Sequence, residues 1–86
     1  MASIEEARAQ IAECVDKASV SDAFLGDAAE TLEQARGSFN SVIQGSENSL
    51  SEQAGDILSG GIDELDVLRG QIRAAIAAAE TLSTKW

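Results

Sequence analysis

The side chains able to do chemistry in this chain are carboxylates, one thiol and a few glycines. Glu30 with Glu33, and Asp63 with Glu64 and Asp66, are close enough in sequence to suggest an acid/base pair or a cation site. On a helix, however, these positions mostly point away from the apolar stripe into water, and the ligand spacing of a calcium loop is missing. Cys14 is the single cysteine, and with no His and no Tyr in the chain it has no base beside it. A nucleophile–base pair, a histidine base or a Cys/His zinc site cannot be assembled from this inventory. Gly55, Gly60 and Gly61 fall inside a helical pattern, not between a strand and a helix, so they form no phosphate loop. The expectation is a protein that is not an enzyme, with no catalytic residue, no metal and no cofactor.

Composition narrows the partners. The 86 residues suffice for one small domain, and 15 acidic against 6 basic residues leave a formal charge of −9. Phosphate backbones and anionic membrane surfaces both call for clustered Lys and Arg, so neither nucleic acid nor membrane is expected as a partner. The longest low-polarity run, Ala74 to Ala79, is mostly alanine and too short to span a bilayer. The stretch Met1-Ala2-Ser3-Ile4-Glu5-Glu6 has neither the basic flank nor the apolar core of a signal peptide. A cytoplasmic location, or export by a signal-peptide-independent route, is expected.

The elements that position these residues show in an apolar repeat of seven. Ile4, Ile11, Ala18, Leu25, Leu32 and Phe39 take the first position, and Ala7, Cys14, Ser21, Ala28, Ala35 and Val42 take the fourth. After a Gly/Ser/Asn-rich break the pattern resumes as Leu58, Leu65, Ile72, Ala79 and Trp86, interleaved with Ala54, Gly61, Leu68, Ala75 and Leu82. Folded antiparallel, the two runs set Phe39 on Ala54, Ala35 on Leu58, Leu32 on Gly61, Ala28 on Leu65, Leu25 on Leu68, Ser21 on Ile72 and Ile11 on Leu82. Large faces small in most layers, as close-packed interiors require. The predicted fold is all-α: one long antiparallel two-helix hairpin, coiled-coil-like, with a seam of Ile11, Leu25, Leu32, Phe39, Leu58, Leu65, Leu68, Ile72 and Leu82. Cys14 is read as a small buried hydrophobe of that seam.

Ser3 with Glu6, and Ser49 with Glu52, are capping-box patterns, and Gly45 suits the left-handed residue that ends a helix. They place one helix over 3–44, a turn over 45–49 and a second helix over 50–84 of a single domain, 1–86. Ser19 to Asp22 and Ser59 to Gly61 weaken helix propensity, but the repeat keeps phase through both, so each helix is expected to continue.

A two-helix core is thin, which makes association the expectation. One flank of the predicted seam carries Val15, Ala29, Ile43, Ile62 and Ile76, and these residues are the candidate interface with a second hairpin, making a four-helix bundle. The alternative is that they widen the hairpin's own core. The same register brings Asp22 near Arg69.

In its size and hairpin architecture the chain resembles two related groups, and its acidic Glu5-Glu6 start and Gln44-Gly45-Ser46 junction best fit the second of them. One is the small secreted helical hairpins of the Trp-x-Gly family, the early secreted antigenic target group. The other is the short actinobacterial helical proteins encoded beside polymorphic toxins. Ile43-Gln44-Gly45 stands where the first family has its Trp-x-Gly turn. The resemblance implies a dimeric four-helix bundle that serves as adaptor, chaperone or carrier for a larger secreted protein or toxin. That family's C-terminal export signal needs a Tyr, which this chain lacks, so the implied export is in company with a partner that bears the signal.

The residues alone support a non-catalytic protein–protein interaction module whose partner is itself or a related helical hairpin. They leave open an acidic inhibitor (an antitoxin, an immunity protein or a nucleic-acid mimic) and a self-assembling structural rod.

Overall fold

The computed structural model describes residues 3–45 and 48–86. Two helices, α1 over Ile4–Ile43 and α2 over Ser49–Lys85, account for nearly all of them, and there is no strand among the described residues. The helices pack side by side along a rod measuring 63 × 18 × 16 Å.

Each end has a local cause. Ser3 is extended (φ −70°, ψ 166°) and its hydroxyl accepts a hydrogen bond from the Glu6 amide at 3.1 Å, so the first expected cap forms. Helix α1 stops where Gly45 takes φ +82°, a conformation a side chain would strain. The cap of α2 is Asn48, whose side-chain oxygen accepts from the Leu50 amide at 2.8 Å. The sequence pointed to Ser49 instead. The amide oxygen of Asn48, one residue earlier, reaches the free N–H groups first, and Ser49 becomes the first helical residue. Ser46 and Glu47, the middle of the expected turn, lie outside the described residues. Both helices continue through the two weak stretches, 19–22 and 59–61.

The seam itself is turned by one position from the expected one. The inward residues of α1 are Ile11, Val15, Ala18, Asp22, Leu25, Ala29, Leu32, Arg36, Phe39 and Ile43. Those of α2 are Ser51, Gly55, Leu58, Ile62, Leu65, Arg69, Ile72, Ile76, Ala79 and Ser83. Steps of three and four alternate along both series, so the heptad survives. It is built, however, from first and fifth positions instead of first and fourth. Phe39 accordingly lies where a side chain on Gly55 would meet its ring at 4.0 Å, and it also borders Ala54. Leu68 and Leu82, expected in the seam, are 42% and 44% exposed, and Cys14 is exposed as well.

Burial area explains the turn. In α1 the fourth positions are mostly Ala, Ser and Cys, with little apolar surface to remove from water. The fifth positions offer Val15, Ile43, Ile62 and Ile76, and between them the Asp22/Arg69 pair. Large still meets small: Phe39 meets Gly55, and at the far end Ile11 shares a cleft with Ser83. Arg36 lays its stem in the seam and turns its guanidinium out to Glu33.

Among the described residues only Ile62, 4% exposed, is buried. Ile62→Ala is therefore expected to cost about 2–4 kcal/mol in urea denaturation followed by circular dichroism. Val20→Ala, on the outer edge, should stay within about 0.5 kcal/mol. Equal effects at the two sites would mean that Ile62 is not the centre of the core.

Candidate interaction surface

Turning the seam leaves the two broad sides of the rod unlike each other. In an antiparallel pair, equivalent heptad positions of the two helices share a side, and the clefts between the helices bear this out. Ala12 and Asp16 of α1 line one cleft together with Glu80 and Thr84 of α2. On the other side Ala7 meets Trp86, and Phe39 meets Ala54, Ile57 and Leu58. That second side collects the fourth and seventh positions. It carries Phe24, Val42, Leu50, Ile57, Leu68 and Leu82, all exposed, with Ala28, Ala35, Ala54, Ala75 and Ala78 between them. Phe24 is 69% and Val42 83% exposed, values far outside those of packed side chains. The charges that fall on this side are Lys17, Glu64 and, at the last residue of α2, Lys85. The remaining described acids lie on the opposite side, on the outer edges or, for Asp22, in the seam.

The residues expected to form an external interface are placed differently. Val15, Ala29, Ile43 and Ile76 are half-buried between the helices and Ile62 is buried, so this set is the hairpin's own core. The surface left uncovered is the one the expected seam would have used, widened by Phe24, Leu50 and Ile57. Its signal was already in the sequence: Val42, Leu68 and Leu82 recur at one heptad position, and Leu50 and Ile57 at the neighbouring one.

The seam holds one built cluster, which Arg73 extends onto the acidic side. Asp22, its side chain 17% exposed, receives hydrogen bonds from Arg69 Nε at 3.0 Å on Oδ1 and from Arg73 Nε at 3.3 Å on Oδ2, with Arg69 Nη2 at 3.5 Å from Oδ2. The guanidinium of Arg69 rests over Gly26, where an added Cβ would stand 3.0 Å from Nη2 and 3.2 Å from Cζ. The Arg69 hydrogen bonds, with Arg73 adding to them, hold the Asp22 carboxyl below its usual range against partial burial, which would raise it. Arg69 is in turn pushed up, first by its bond to Asp22. A polar layer of this kind in an apolar seam penalises any slip of one helix along the other, since a slip would strand the carboxylate. The proximity of Asp22 to Arg69 was legible in the sequence. The role of Gly26 was not.

Among the described residues no group of His, Cys, Asp and Glu is arranged to hold a metal ion, and no helix is long and apolar enough to cross a membrane. Compared with known proteins, the chain matches no family model, no characterised protein and no solved structure.

Because the folded-state pKa of Asp22 is lowered, its stabilising effect is present above the ordinary value of 3.8 and fades as pH falls through the folded value. Asp22→Asn should thus lower the melting temperature at neutral pH, with the gap to the parent closing in acid below about pH 4. A gap of constant size across that range would mean that the carboxylate's charge is not what matters. Gly26→Ala gains about 1 kcal/mol of helix propensity but presses on Arg69, so the gain should appear in full only in the Asp22→Asn background, where the guanidinium is free to move.

Proposed function

We propose that the protein is a non-catalytic helical interaction module. It works by laying its charge-poor apolar side against another helical hairpin, the two together making a four-helix bundle. The observation that supports the reading is that side itself: large apolar chains run the length of the rod with few charges among them (Lys17, Glu64 and the terminal Lys85), above a core with one buried residue among those described. Carriage of a larger secreted protein or toxin follows from the resemblance of the chain to small secreted hairpins, and belongs to the same proposal.

A second reading, the acidic inhibitor, draws on the opposite side, where Asp16, Glu30, Asp56, Asp63, Asp66 and Glu80 gather. A basic target held there would be released steeply by added salt, whereas a hairpin held on the apolar side would not.

The module reading is tested with an uncharged amphipathic Leu/Ala/Gln peptide as a probe for helical partners. The full chain should bind it with a gain in helicity. Phe24→Glu combined with Leu68→Glu should abolish the binding, while Val20→Glu combined with Val67→Glu, on the outer edges, should leave it intact. Binding that both pairs of substitutions leave unchanged would place the working surface elsewhere.

A further inference from the structure

We infer that the occupant of the apolar side is a second copy of this chain, the two hairpins meeting face to face across a two-fold axis. The inference rests on the module reading and names its partner.

Three observations lead to it. The first is extent. A side 63 Å long on a rod 18 Å wide offers area comparable to the roughly 800 Å² that each partner buries in a stable protein–protein interface. The apolar chains are spread over that whole length, with Val42 and Leu50 toward the turn, Phe24 and Leu68 near the middle, and Leu82 and Trp86 at the open end. A small ligand or a short peptide would cover a fraction of them. The occupant must be as long as the rod.

The second is charge. The chain carries −9, yet the described charges of this side are Lys17, Glu64 and the terminal Lys85, so the whole acidic excess lies on other surfaces. A basic partner would be drawn to those other surfaces. What fits here is a long, apolar, charge-poor helical face, and a second copy presents one while keeping its own acids in water. Paired acids on the two outer surfaces are then separated by the thickness of both hairpins, beyond the ~8 Å over which physiological salt leaves charges interacting strongly.

The third is the thinness of the single hairpin. With Ile62 as its one buried residue among those described, the rod has little core of its own, and an isologous contact doubles the number of packed layers without any new sequence.

Sedimentation equilibrium of the full chain across the micromolar range tests the inference. The expected result is a species of twice the 9.0 kDa chain mass at the upper concentrations, with a dissociation constant that added salt leaves unchanged or tightens. Phe24→Glu with Leu68→Glu, and equally Phe24→Lys with Leu68→Lys, should weaken the dimer by about 100-fold or more, the Lys pair showing that lost apolar contact and not added negative charge is responsible. Val20→Glu with Val67→Glu should keep it. Circular dichroism of each variant confirms that the hairpin is intact, and Leu82→Glu alone serves if a double variant unfolds. A single 9.0 kDa species throughout, a dimer that every variant retains, or partition onto neutral phosphatidylcholine vesicles in place of self-association would overturn it. A chain that stays monomeric but still binds the uncharged peptide rules out the second copy and leaves the module reading standing. A chain that does neither ends both.

Discussion

Two helices can bury only one stripe of each other, and everything else in this protein follows from which stripe that is. Both helices carry apolar residues on a wider arc than a single partner helix can cover. The stripe chosen holds the isoleucines at 43, 62 and 76 and the Asp22/Arg69 pair. By being chosen it leaves Val42, Leu68 and Leu82 facing out. The exposed side is the remainder of an amphipathic pattern too broad for a hairpin to cover.

The ion cluster and the apolar packing divide the work of specifying this arrangement. Leucine and alanine layers are tolerant, since a shift by one heptad would again bring large against small over much of the length. The Asp22 carboxylate is not tolerant: its acceptors meet Arg69 and Arg73 in one register only, and Gly26 leaves the room that the Arg69 guanidinium occupies. Partly exposed pairs of this sort add little to stability, and their effect lies in making the alternatives worse.

Much of the fold was legible in the sequence because its signals are local. Ser3 with Glu6 marked the first helix, Gly45 marked its end, and the unbroken seven-residue phase carried both helices across poor formers at 19–22 and 59–61. The rotation of the seam was not legible in the same way. A heptad pattern records that apolar residues recur, but here they recur at the first, fourth and fifth positions alike, and choosing between neighbouring pairs depends on summed area and on one polar contact. Those are properties of two helices together. The cap on Asn48 in place of Ser49 is a smaller case of the same kind, since two adjacent residues were both competent and geometry selected one.

Gly60 and Gly61 sit side by side within α2, and an added Cβ at either would meet nothing within 4 Å. No close approach demands them, so their effect is felt in the backbone. A helix gains bending stiffness from side chains that hinder its dihedral angles, and two consecutive residues without one make the softest point of a long lever. This point adjoins Ile62, the one buried residue among those described. Any bend that α2 takes to follow its partner helix therefore costs least between Ser59 and Ile62, where the backbone is least hindered.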